Sequence, residues 1–164
     1  MDKKWEDIKV VAFDADDTLW DCQSWFDEVE RKCCELLKPW ASAREVSEGL
    51  FATERRNLPL TGYGTKAFTL SLIENAVRVS HQQLTGDIVM QLLDLGRQLL
   101  LFPTTPLPEV EATLRQLSQS RRYRLVVFTK GELLDQENKL QRSGLEQYFS
   151  HMETVSWASP RNRR

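Results

Sequence analysis

Two short apolar runs, each ending in a polar residue at a turn, constrain this chain more than any other feature. Val10-Val11-Ala12-Phe13 leads into Asp14, and Leu125-Val126-Val127-Phe128 leads into Thr129-Lys130-Gly131. Continuous runs of this length and type suit strands of a parallel sheet buried on both faces. Parallel neighbours need a long crossover, and the stretch between the runs has helical periodicity. The pattern is therefore α/β. In open α/β sheets ligands sit beyond the carboxyl ends of the strands, which is where Asp14 and Thr129 stand.

The intervening stretch divides into helices. Ser24 is placed to cap a first helix carrying Phe26, Val29, Cys33 and Leu36 or Leu37, ahead of Pro39. Ser42 and Glu45 have the spacing of a capping box, with Val46 and Leu50 inward, and Pro59 predicts an end at Leu58. Further helices are expected over 67–80, with Phe68, Leu72, Ala76 and Val79 on one face, and over 87–101 after Thr85. The segment 103–108 reads as a linker whose Pro108 occupies the first turn of a helix bearing Val110, Leu114 and Leu117. Beyond the second strand a helix is expected over 132–142, with Leu133, Leu134 and Leu140 at helical spacing and Gly144 as its stop, then a strand over 151–155. The expected organisation is core (1–21), all-helical insertion (22–104), core (105–156) and a disordered tail (157–164).

With 41% hydrophobic and 28% charged residues, the chain can bury one sizeable core. Its 22 lysines and arginines against 24 aspartates and glutamates argue against a nucleic-acid partner. The absence of a membrane-length apolar segment or signal-peptide pattern predicts a cytoplasmic protein without a membrane partner. Cys22, Cys33 and Cys34 form an odd set without metal-ligand spacing and read as reduced packing residues.

The stretch Asp14-Ala15-Asp16-Asp17-Thr18 places two carboxylates two residues apart where the chain leaves the first strand. They can converge on one cation, and a carboxylate can attack phosphorus to form an acyl phosphate that water later cleaves. The bland alternative is an acidic turn that caps the chain through Asp17 or Thr18.

Residues 10–18, a hydrophobic strand followed by Asp-x-Asp-x-Thr, resemble the first motif of the haloacid dehalogenase superfamily, and Phe128-Thr129-Lys130-Gly131 resembles its second. The resemblance implies a Rossmann-like parallel-sheet core with a helical cap, and a Mg²⁺-dependent phosphohydrolase acting on a small phosphorylated metabolite through an aspartyl-phosphate. On that reading Asp14 is the nucleophile and a metal ligand. Asp16 protonates the leaving group, later activates water, and offers its main-chain carbonyl to the metal. Thr129 and the adjacent main chain at Lys130 hold the phosphoryl group. The acid at position 16 favours a phosphatase over a dehalogenase. Asp17 stands where the motif commonly has glycine. The loop Asn57 to Lys66 resembles the substrate-facing loop of such a cap, or is an ordinary connector; its Gly64-Thr65-Lys66 lacks P-loop spacing.

The superfamily also carries a third-motif lysine and a fourth, acidic motif. Where the lysine is expected, after Val155-Ser156, the chain reads Trp157-Ala158-Ser159, so the core is expected to be incomplete on its C-terminal side. Lys139 or Lys130 is a candidate substitute for that lysine, but Lys139, mid-helix among Glu137, Asn138 and Gln141, reads as a solvated surface residue. An incomplete core allows a second reading, a catalytically impaired protein that acts only as a binding or interaction module. It also leaves the first strand as an edge, through which the chain is expected to self-associate.

Overall fold

The structure is a computed structural model that describes residues 7–155. The tail, and the position where the third-motif lysine is expected, lie outside the described residues. The chain folds as two compact units, one comprising the described residues to Cys22 with Pro103–Val155, the other Gln23–Phe102.

The first unit contains β1 (Val10–Phe13), β2 (Arg124–Lys130) and β3 (His151–Val155) in a parallel sheet of order β1-β2-β3. Phe13 pairs with Val127, and Thr129 pairs with Thr154. Parallel crossovers are right-handed, so strands added in one direction place the helices before β2 and after it on the same face. These are α5 (Val110–Gln119) and α6 (Leu133–Ser143). Burial agrees: Leu125, Val127 and Thr129 are buried with Leu114, Leu140 and Leu145, while the alternate residue Phe128 is 52% exposed.

The expectation that β1 is buried on both faces is therefore corrected. Its residues alternate between exposed and half-buried, with Val10 at 42% exposure, because among the described residues of this unit helices cover one face and β1 is an edge. Pro108 lies in the turn before α5 rather than in its first turn, and Glu109 takes the left-handed φ of 64° that opens the helix. Gly144 stops α6 with φ 71°, a conformation that costs glycine little.

The second unit is a bundle of α1 (Gln23–Leu37), α2 (Ala43–Thr61), α3 (Thr65–Val79) and α4 (Gly86–Leu101). Its core joins Val29, Cys33 and Leu37 of α1, Val46 and Leu50 of α2, Phe68, Leu72 and Ala76 of α3, and Leu92, Leu95 and Leu99 of α4. Each fully buried aliphatic side chain of this kind is worth about 1.5–3 kcal/mol of transfer free energy. The Ser42–Glu45 capping box forms, and Thr85 caps α4.

Two boundaries differ from the sequence expectation. Ser24 lies inside α1, which begins at Gln23. Pro59 does not end α2 at Leu58, because a proline in a last turn removes one N–H without blocking the turn's other bonds. Gly62 N–H donates to the Leu58 carbonyl at 3.0 Å, and Thr61 Oγ1 to that of Asn57 at 3.1 Å. Only Gly62-Tyr63-Gly64 remains as loop, with both glycines at positive φ, 70° and 124°.

Candidate active site

β1 ends opposite Val127, so Asp14 leaves the sheet at the same end as Thr129. Asp14 is exposed. Beyond it the chain folds back on the Ala15 carbonyl, which accepts from the N–H groups of Thr18 (3.2 Å) and Leu19 (2.7 Å). Ala15, Leu19 and Trp20 are buried and anchor this turn.

Asp17 adopts φ 58°, a left-handed conformation that glycine meets freely and aspartate tolerates better than most residues. Its Oδ1 accepts from the main-chain N–H of Cys22 at 2.9 Å. The departure from glycine thus preserves the turn, and the capping role is real for Asp17. It does not extend to Asp16.

The Asp16 carboxylate faces inward. Its Oδ1 accepts from Trp20 Nε1 at 2.9 Å, its Oδ2 from Gln136 Nε2 at 2.8 Å, and Lys139 Nζ stands 3.1 Å from both oxygens. Lys139 is not a solvated surface residue. Its side chain is 3% exposed and also lies 3.7 Å from the buried Asp135 carboxylate. α6 turns Asp135, Gln136, Lys139 and Leu140 inward and leaves Leu133 and Leu134 exposed, so of the three leucines at helical spacing Leu140 is buried and the other two stand outside the core. Thr104 Oγ1 donates to the Lys139 carbonyl at 3.0 Å and fixes the helix against the linker. Sequence reasoning placed Lys139 on the solvated surface and singled out neither Gln136 nor Trp20. The available signal was an acid, an amide and an ammonium at i, i+1 and i+4 of one helix face.

Burial alone pushes the Asp16 carboxyl up. The Lys139 ammonium, then the hydrogen bonds from Gln136 and Trp20, outweigh burial and hold it below the usual carboxylate range. Burial likewise pulls Lys139 down, and the Asp16 charge leads the interactions that raise it above an ordinary lysine. The resting pair is therefore carboxylate and ammonium. Cys22 Sγ lies 3.8 Å from Lys139 Nζ, and burial with the neighbouring Asp16 charge pushes its thiol up to about 12, leaving it protonated. All three cysteines are free, Cys22 and Cys33 buried and Cys34 partly so.

Thr129 is buried at the end of the central strand. Lys130 is exposed, but its carbonyl accepts from Gln136 Nε2 at 3.0 Å, so the end of β2 and the loop after β1 meet at one side chain. Among the described residues no hydrogen bond joins Asp14 to Asp16 or to Thr129.

No group of three His, Cys, Asp or Glu side chains able to hold a metal gathers among the described residues. The exposed Asp14 carboxylate and the Asp16 main-chain carbonyl are oxygen donors at the end of β1 that could hold a metal. These hard donors fit a magnesium ion that keeps most of its water. No helix of the described residues is long and apolar enough to cross a membrane.

Comparison with known proteins finds similar solved structures. A haloacid dehalogenase-like hydrolase from Xanthomonas campestris is 32% identical, with a TM-score of 0.84 over 94% of this chain and 64% of its own. A putative hydrolase of the same family, YfnB from Bacillus subtilis, bound to magnesium, matches at 15% identity and TM-score 0.61, over 90% of this chain and 65% of its own. An L-2-haloacid dehalogenase from Xanthobacter autotrophicus, with chloropropionic acid covalently bound, matches at 17% and 0.53, over 90% and 57%. This chain thus spans about two-thirds of the length of these structures or less. No curated protein matches. The model of the haloacid dehalogenase-like hydrolase family matches residues 8–158, nearly the whole chain, which therefore belongs to that family.

Proposed function

We infer that the chain carries the nucleophile half of a Mg²⁺-dependent phosphohydrolase site acting on a small phosphomonoester. The supporting observation is the division of labour between two carboxylates. Asp14 is exposed at the strand end, while Asp16 is buried against Lys139, Gln136 and Trp20.

A carboxylate that attacks must reach the substrate, and one that moves protons must be held. In the first step an Asp14 oxygen bonds to phosphorus and the bond to the leaving oxygen breaks, that oxygen taking a proton from Asp16. In the second, water attacks the acyl phosphate, Asp16 takes the water's proton, and inorganic phosphate leaves Asp14. Lys139 makes both halves possible. Its charge offsets the acids against a phosphate dianion. The dianion's own charge beside Asp16 raises its carboxyl, which takes up a proton from solvent before the first step and regains one from water in the second. The exposed Asp14 carboxylate and the Asp16 carbonyl would hold Mg²⁺, which when bound shields charge on the phosphoryl oxygens. Thr129 and the Lys130 main chain would meet the phosphoryl group at the end of β2. The magnesium-bound relative supports the choice of cation. Several matched structures are dehalogenases, and the held acid at Asp16 is what favours phosphate chemistry here. The composition fits a cytoplasmic metabolite enzyme.

A binding-only role has one observation in its favour, the sparse set of metal-ligating side chains among the described residues. Hydrolysis of p-nitrophenyl phosphate decides between the two readings. Turnover that requires Mg²⁺ and disappears in Asp14→Asn and Asp14→Ala is expected, and turnover that survives either substitution overturns the assignment.

A further inference from the structure

Gln136 is 2% exposed, and its amide is arranged in a way that packing does not explain. Its Nε2 donates both hydrogens, one to Asp16 Oδ2 at 2.8 Å and one to the Lys130 carbonyl at 3.0 Å. Both partners are acceptors, so only the NH₂ end of the amide can face them. The consequence is that Oε1 is buried without a hydrogen-bond partner among the described residues. A buried acceptor left unmatched is a cost, and an apolar side chain of similar volume would avoid it. The neighbouring turn is shaped to the same amide. Gly131 has φ 119°, and a Cβ there would stand 3.0 Å from Gln136 Nε2.

We propose that Gln136 is a positioning residue, a tie between the loop after β1 and the end of β2 that holds the Asp16 carboxylate in register with the Thr129-Lys130-Gly131 turn. Trp20 and Lys139 grip Asp16 from its own loop and from α6, and Gln136 joins it to the strand end where the phosphoryl group would sit. The proposal rests on the reading of Asp16 as the acid and base, and it adds the side chain that sets where that acid stands.

Two variants test it. Gln136→Met keeps length and volume and removes both donors; Gln136→Glu keeps the shape and carries at most one. The first readout is the Trp20 indole N–H resonance, since that group donates to the other oxygen of the same carboxylate at 2.9 Å. It is expected to move in both variants as the carboxylate turns. The second is p-nitrophenyl phosphate hydrolysis, where kcat is expected to fall about tenfold or more with KM held within about twofold. An indole resonance that stays in place in either folded variant overturns the proposal whatever the rate does. If Gln136→Met does not fold, Gln136→Glu carries the test. If the wild-type chain shows no turnover, the hydrolase reading fails on its own account and the indole resonance alone decides the role of Gln136.

Discussion

Lys139→Met isolates the central interaction of the site, because methionine keeps the apolar stem and deletes the ammonium. Two carboxylates lose their counter-ion at once. The Asp16 side chain is 27% exposed and keeps Trp20 and Gln136 as donors, and the Asp135 side chain is 4% exposed. Removing one partner of a buried ion pair costs about 3–5 kcal/mol, and the donors remaining on Asp16 argue for the lower end, about 3 kcal/mol. For a chain of 164 residues that is a fall in Tm of roughly 6–12 °C near neutral pH.

The pH dependence separates this mechanism from simple loss of packing. In the wild type Asp16 titrates lower folded than unfolded, so its contribution is complete above about pH 4 and is lost as pH falls through the depressed folded value. Lys139 titrates higher when folded, so its share is complete below about pH 10 and is lost as pH rises through the raised value. In Lys139→Met, burial, the largest influence on Asp16, lifts its folded carboxyl above the unfolded value once the ammonium is gone, and acidification then favours the folded form. The wild-type advantage should narrow steadily from about pH 7 to about pH 4 in circular-dichroism melts, and Lys139→Met/Asp16→Asn should recover part of the loss. A gap in Tm below about 2 °C near neutrality, or a gap that does not change with pH, would refute the argument.

Two further outcomes follow from the same geometry. Mg²⁺ should bind weakly in titration calorimetry without substrate, because one free carboxylate and a carbonyl leave the ion mostly hydrated; tight stoichiometric binding would mean that further residues complete the site. The exposed β1 edge, with no charge or proline in Val10–Phe13, should make the chain self-associate with concentration in light scattering, and Ala12→Lys should suppress this; identical masses for both proteins at all concentrations would clear the edge.

Features encoded locally were legible in the sequence. Ser42-x-x-Glu45, Thr85 and Gly144 each satisfy or end a helix using groups within a few residues, and β3 lies at His151–Val155 where it was expected. Asp14 and Asp16 stand out together in the sequence because strand, turn and carboxylates are contiguous, while the structure exposes Asp14 and turns Asp16 inward. The burial of β1 was not. A run such as Val10–Phe13 has the composition of a strand covered on both faces, and whether a helix covers the second face depends on the order of strands in the sheet, which apolarity does not record.

Lys139 shows the same limit at the site. Its near neighbours Glu137, Asn138 and Gln141 point to other faces of α6, so their polarity says nothing about where the lysine looks. The residues that share its face, Asp135 and Gln136, are polar too, and a rule that looks for apolar periodicity assigns the buried stripe to Leu133 and Leu134 instead. What turns the helix is a carboxylate 123 residues away. An ion pair and two amide hydrogen bonds to the first loop and the strand end outweigh the burial of two leucines, since a charge once buried must be matched while an exposed leucine costs comparatively little. The helix is therefore oriented by the chemistry of the site, and a sequence pattern that reads helices only through their apolar residues will misplace such a helix wherever its inner face is functional.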